Sequence, residues 1–95
     1  MKIEYSKDYL RTLKRITKKR TIPSTLIDDA LTLYLSDKTD PRLQFKSITC
    51  KRDKYRHSIR IPTTQYRILM SVMDDVTILV CICDHDDYDR RNKGC

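Results

Sequence analysis

Between Tyr55 and Met73 the side chains alternate with a period of two, and that alternation commits the second half of the chain to a sheet. Tyr55-Arg56-His57-Ser58-Ile59-Arg60-Ile61 alternates, Pro62 to Thr64 turns the chain, and Gln65 to Met73 alternates again. Val76 to Cys83 is then continuously apolar. Strand residues two apart share a face. Tyr55, Ile59 and Ile61, with Tyr66, Ile68, Met70 and Val72, are therefore expected to look inward. Arg56, Ser58 and Arg60, with Arg67, fall on the opposite face. The last strand runs into Asp84-His85-Asp86-Asp87-Tyr88, so this face ends near a histidine and a tyrosine. Such a set suits a phosphodiester, because guanidinium groups grip phosphate in bidentate fashion while His and Tyr move protons.

The first half reads as helical. Lys2 to Ser6 alternates as a short strand, and Tyr9, Leu10, Leu13 and Ile16 then recur at helical spacing. Pro23 ends that segment, and Ser24 or Thr25 is expected to cap a second helix with the stripe Leu26, Ile27, Ala30, Leu31, Tyr34 and Leu35. Asp28 and Asp29 are expected in its first turn, where the helix dipole favours them. Asp40-Pro41 breaks the pattern. Leu43, Phe45 and Ser47 alternate as a strand, Thr49 to Lys54 makes a basic loop, and Asp74-Asp75 makes a tight hairpin. Residues 1–95 thus form one α+β domain, with an N-terminal strand and two helices, about 7–20 and 24–36, packed on a four-stranded antiparallel sheet.

A chain of 95 residues has little core to spare for a deep pocket, so a shallow surface site is expected. The formal charge of +7 is unevenly spread: residues 1–20 hold eight Lys/Arg against two acids, and residues 51–67 hold six against one. Clustering of this kind is the footprint of a polyanionic partner, with Lys14, Lys18, Lys51, Arg52, Lys54 and Arg56 as candidate RNA contacts. No apolar run approaches the length of a membrane span and the N-terminus lacks a signal-peptide core, so a soluble cytoplasmic protein without membrane association is expected. Cys81 and Cys83, two apart in an aliphatic strand, read with Cys50 as buried thiols rather than as disulfide or zinc ligands, and Cys95 as an exposed thiol.

The order of elements, the string Arg56 to Ile61, the turn, Gln65-Tyr66-Arg67-Ile68, Asp74-Asp75 and His85-Asp86-Asp87-Tyr88 together resemble the RelE/ParE superfamily of bacterial toxins. The likeness is to the mRNA interferases of the RelE, YoeB and YafQ type and covers the whole chain. It implies the RelE-like microbial ribonuclease fold and the toxin of a type II toxin–antitoxin system, entering the ribosome and cutting messenger RNA. It also implies a cognate antitoxin that wraps and blocks the toxin. Arg67 matches the strand arginine that contacts the scissile phosphate, Arg60 a basic residue on the preceding strand, and His85 the acid/base position at the sheet's end. Tyr88 follows His85 by three positions where the family's aromatic follows by four. The ParE branch keeps the fold but inhibits DNA gyrase without catalysis, so a non-catalytic toxin, or an inactive family member, is the alternative.

The chemistry is consistent with that set. Cutting RNA without a metal or cofactor requires taking the 2′-hydroxyl proton, stabilising the pentacoordinate phosphate and protonating the leaving 5′-oxygen. Arg67 and Arg60 suit the second task, and His85 with Tyr88 or a lysine suits the proton transfers. The competing readings are that His85 only caps a strand end, that Tyr88 only packs, and that Asp84 to Asp89 binds magnesium for a metal-dependent nuclease. His57 shares the inward parity and reads as structural.

Overall fold

The structure of the chain, a computed structural model, describes residues 1–93. Strand β1 (Lys2–Tyr5) leads into α1 (Lys7–Lys18) and α2 (Ser24–Ser36). A single 3₁₀ turn (Pro41–Leu43) precedes β2 (Lys46–Ser47), β3 (Arg56–Arg60), β4 (Arg67–Val72) and β5 (Val76–Cys83), and α3 (His85–Lys93) closes the order. The strands form one sheet in the order β1-β5-β4-β3-β2, with β1 parallel to β5 and every other neighbour antiparallel.

Helix α1 starts at Ser6, whose side chain accepts from Tyr9 N–H (3.0 Å) and donates to the Val80 carbonyl (2.8 Å). One hydroxyl thus caps the helix and pins it to β5. β1 ends at Tyr5, and farther along β5 the N–H of Ile82 donates to Thr12 Oγ1 instead (3.0 Å), which keeps a buried donor satisfied. Tyr9, Thr12 and Ile16 form the buried stripe of α1, while Leu10, expected in it, is half exposed because it lies about 100° round the helix from Tyr9. In α2 the buried residues are Ile27, Ala30 and Tyr34, and Leu35 is likewise exposed. The cap of α2 also differs from expectation. Pro23 occupies the cap position with no side-chain bond, Ser24 is already helical, and Asp28 and Asp29 fall in the second turn.

The inner face of the sheet, against these helices, carries Ile59, Ile61, Ile68, Met70, Leu79 and Ile82, as the β3 and β4 alternation requires. Tyr55 is the exception: it precedes β3 and stays exposed beneath the Lys54 ammonium. Along β5 the register slips between Leu69 and Met70, from Leu69 opposite Cys81 to Met70 opposite Leu79. Val80 is therefore the extra residue of a bulge. The bulge resets the alternation, so Thr77, Leu79 and Ile82 face the helices while Cys81 and Cys83 face the other way.

Two further expectations change. The strand foreseen from Leu43 to Ser47 shrinks to Lys46–Ser47, because Asp40 caps a 3₁₀ turn through Arg42 N–H (2.9 Å) and Gln44 leaves it in a left-handed conformation (φ 46°, ψ 47°). The acidic segment that the last strand runs into is a nine-residue helix, and it lies on the outer face. Tyr88 of α3, with Leu69, Cys81 and Cys83, makes a second small core there. Cys81 and Cys83 are buried free thiols, whereas Cys50 is disulfide-bonded and so corrects the thiol reading for that residue; Cys95 lies outside the described residues. No described helix is long and apolar enough to cross a membrane.

Candidate active site on the outer face of the sheet

Arg67 opens β4, directly opposite Arg60 of β3 and Cys83 of β5. Its parity sends the side chain to the outer face, where the guanidinium is held on several sides. Nη2 donates to the Gln44 carbonyl (3.0 Å), Nη1 to Gln44 Oε1 (3.2 Å), and Nε and Nη2 to Ser58 Oγ (3.4 and 3.3 Å). The Tyr88 ring lies 5.2 Å from its Cζ. Among the described residues these partners are all neutral oxygens and a π face, so the group is fixed in place without its charge being cancelled. A guanidinium held this way is prepared for an anion.

Tyr88 reaches the same point from α3. Its ring is buried against Leu69, Cys81 and Cys83, its hydroxyl lies 3.2 Å from Ser58 Oγ, and the Lys46 ammonium stands 5.4 Å from its ring. Ser58 is fully buried and joins the two, accepting from Arg67 while pairing with the Tyr88 hydroxyl. Arg60 lies beside Arg67 across the strand pair, and its Nε donates to the Thr64 carbonyl (2.7 Å), which bends it toward the 61–64 turn.

His85 is the first residue of α3, two beyond the residue that pairs with Arg67, and three before Tyr88 on the same helix. Its side chain is 74% exposed, and Nε2 contacts Asp89 Oδ2 at 3.4 Å. His85 is thus exposed and turned toward Asp89, about one turn of α3 before Tyr88. Two of the neighbouring acids have structural partners. Asp84 Oδ1 accepts from Asp87 N–H (2.8 Å) and caps α3, and Asp87 pairs with Arg90 and, at 3.8 Å, with Arg15. Among the described residues no group of three His, Cys, Asp or Glu side chains could hold a metal ion.

The other basic residues divide between two places. Arg56 lies opposite Ser71, about 13 Å along β3 from Arg60 at ~3.3 Å per residue. It pairs with Asp53 (3.3 Å), whose carboxyl burial tends to raise but hydrogen bonds from Ser71, Tyr55 N–H and Arg56 hold below the usual range. Lys51, Arg52 and Lys54 are exposed on the loop before β3. Lys14 and Lys18 instead lie on α1, with Arg11, Arg15 and Lys19 around a shallow cavity of about 530 Å³. Arg15 of this second patch reaches Asp87 of α3 (3.8 Å), so α1 and the outer-face helix are bridged there. His57 stacks on Phe45 (5.0 Å between centroids, 8° between planes) and its Nδ1 lies 2.6 Å from the Tyr55 carbonyl, so it serves the fold.

Sequence reasoning passed over Gln44, Lys46 and the orienting part played by Ser58. The β3–β4 register would have placed Ser58 near Arg67, but nothing in the Pro41-Arg42-Leu43-Gln44 string announces that its turn delivers two acceptors to Arg67.

No protein-family model matches the sequence, and no curated protein matches it. Solved structures do match in three dimensions. A chain of the DinJ–YafQ complex of E. coli superposes with a TM-score of 0.75 at 13% identity, over 88% of this chain and 92% of that one. A copper-bound mutant toxin from Helicobacter pylori gives 0.73 at 20% identity, over 90% and 96%. A conserved hypothetical protein from Helicobacter pylori, solved in solution, gives 0.64 at 22%, over 93% and 98%. The chain thus has the fold of these proteins along nearly its whole length.

Proposed function

We propose that this chain is the toxin of a toxin–antitoxin pair, an endoribonuclease that cuts messenger RNA on the ribosome without a metal ion. The observation that carries the reading is the Arg67 guanidinium, clamped by Gln44 and Ser58 and flanked by Tyr88, with its charge left for an incoming anion. The DinJ–YafQ structure is a toxin–antitoxin complex of a protein with this fold, which supports a protein antitoxin as the partner here.

In this reading a phosphodiester sits over Arg67 and Arg60, whose charges stabilise the pentacoordinate phosphate as the 2′-oxygen attacks. His85 and Tyr88 divide the two proton transfers: one takes the 2′-hydroxyl proton and the other delivers a proton to the departing 5′-oxygen. The products are a 2′,3′-cyclic phosphate and a free 5′-hydroxyl. The basic residues Lys51, Arg52, Lys54 and Arg56 extend the positive track along the outer face, and Lys14 and Lys18 offer a second contact from α1. A gyrase-type inhibitor would need none of the Arg67 geometry.

The test is cleavage of a 5′-labelled messenger RNA on programmed ribosomes, with the chemistry of the new ends determined. Wild-type protein is expected to cut and Arg67→Ala to lose about two to four decades of rate. New ends that carry a 3′-hydroxyl and a 5′-phosphate, as metal-activated water would leave, or cleavage retained in Arg67→Ala, contradict the proposal.

A further inference from the structure

Two nucleophilic side chains lie directly behind this site and take no part in the chemistry above. Cys83 is the β5 partner of Arg67, Cys81 is the partner of Leu69, and the bulge at Val80 turns both toward the outer face. Both are buried under the Tyr88 ring, as free thiols with their sulfurs 2.8 Å apart. That is closer than two non-bonded sulfurs ordinarily pack.

We propose that Cys81 and Cys83 form a reversible dithiol/disulfide pair, oxidised by a small-molecule disulfide, and that closing it releases Tyr88 from Ser58 and Arg67. The two residues are about 6.6–6.8 Å apart along the strand, at the upper end of the Cα separation a disulfide spans. Closing the bond therefore puckers β5 exactly where α3 rests on it, and a strained disulfide of this kind is readily reduced again. The hydrogen bond from Cys83 eases the ionisation of Cys81 against its burial, with help from the Arg91 charge, which makes Cys81 the first nucleophile. Its thiolate attacks one sulfur of glutathione disulfide and expels one glutathione thiolate. Cys83 then attacks the mixed disulfide and expels the second. Two electrons pass from the pair to the oxidant, and the two thiol protons leave with the two glutathione molecules. Access comes through transient opening of α3, a polar helix with Tyr88 as its buried residue.

The link to activity rests on the proposed function; the pair itself does not, so the test uses no cleavage assay. Trypsin cutting after Arg67 and Arg90 gives a fragment, residues 68–90, that holds Cys81 and Cys83 and excludes Cys50. The intact protein is incubated with glutathione disulfide, its free thiols are alkylated, and the fragment is weighed. The expected fragment is lighter by two hydrogens and carries no alkyl group, and dithiothreitol restores two alkylation sites. Hydrogen exchange of the α3 amides is expected to speed up at least tenfold in the oxidised protein, and to stay unchanged in oxidant-treated Cys81→Ala. Two alkylated cysteines after oxidation, a lasting glutathione adduct, or α3 exchange that ignores the disulfide or rises equally in Cys81→Ala overturns the inference. If the mass and exchange results hold while no RNA is ever cut, the fault lies with the ribonuclease reading alone.

Discussion

Replacing Tyr88 by Phe removes one oxygen from the outer face and leaves the ring, which makes it possible to separate packing from chemistry at the site. The lost group is the hydroxyl 3.2 Å from Ser58 Oγ, in a buried position. A neutral hydrogen bond of this kind is worth about 0.5–1.5 kcal/mol, and Ser58 Oγ is not orphaned because Arg67 still donates to it. For a chain of 95 residues, about 1 kcal/mol corresponds to roughly 5 °C in melting temperature. The ring continues to cover Leu69, Cys81 and Cys83, so the larger loss of about 3–5 kcal/mol is reserved for Tyr88→Ala. If the hydroxyl transfers a proton, cleavage in Tyr88→Phe falls by about two to four decades while the fold persists. Thermal unfolding followed by circular dichroism, beside single-turnover cleavage on ribosome-bound RNA, reads both numbers. A loss of activity under tenfold at an unchanged melting temperature removes Tyr88 from the proton chemistry. A fall of 15 °C or more refutes the packing argument instead.

Arg67→Lys keeps the charge but loses the planar fork held by Gln44 and Ser58, so it is expected to lower the cleavage rate at least tenfold without altering the pH profile; wild-type rate in that variant shows the fork is idle. His85→Gln is expected to lower the cleavage rate by about two to four decades while the fold persists, and a wild-type rate in that variant assigns the proton transfer elsewhere. Asp53 is held below its ordinary range in the fold, so its contribution to stability is full above the unfolded value near 3.8 and lost as pH falls through the lower folded value. Acid titration of unfolding free energy should therefore flatten in Asp53→Asn, and an identical acid limb contradicts the network around Ser71 and Arg56. Tyr9 is pushed up to about 12 by burial, reinforced by Tyr5 and Asp28, so the unfolded chain ionises first as pH rises. Stability should fall as pH rises from about 10 to about 12 and fall less in Tyr9→Phe, as urea titrations at each pH would show.

The parts of the fold legible in the sequence are those with enough apolar residues to write a period. Ile59, Ile61, Ile68 and Met70 declare the inner face of β3 and β4, and by exclusion set Arg67, Arg60 and Ser58 on the outer one. Tyr9, Ile16, Ile27, Ala30 and Tyr34 do the same for the helices. Helix α3 escapes because Tyr88 is the lone apolar residue between His85 and Lys93, so no stripe exists to reveal it. Its start is written in Asp84, yet an acidic run reads equally well as a solvated turn. Missing α3 also hides why Leu69 and Ser58 are buried on a face expected to be open. The Val80 bulge is invisible for the opposite reason: in a continuously apolar strand, either parity buries a hydrophobic side chain. Gln44 holds Arg67 mainly through a main-chain carbonyl in a left-handed turn, and a backbone acceptor leaves no mark on the sequence.

The central claim is that Arg67 and its clamp serve RNA cleavage, and primer extension on cellular messenger RNA after induction of the wild-type chain and of Arg67→Lys tests it most directly. The account predicts new 5′ ends in register with codons for the wild type and their near-disappearance in the variant. Growth arrest with intact messenger RNA, or equal cutting by both proteins, would contradict it.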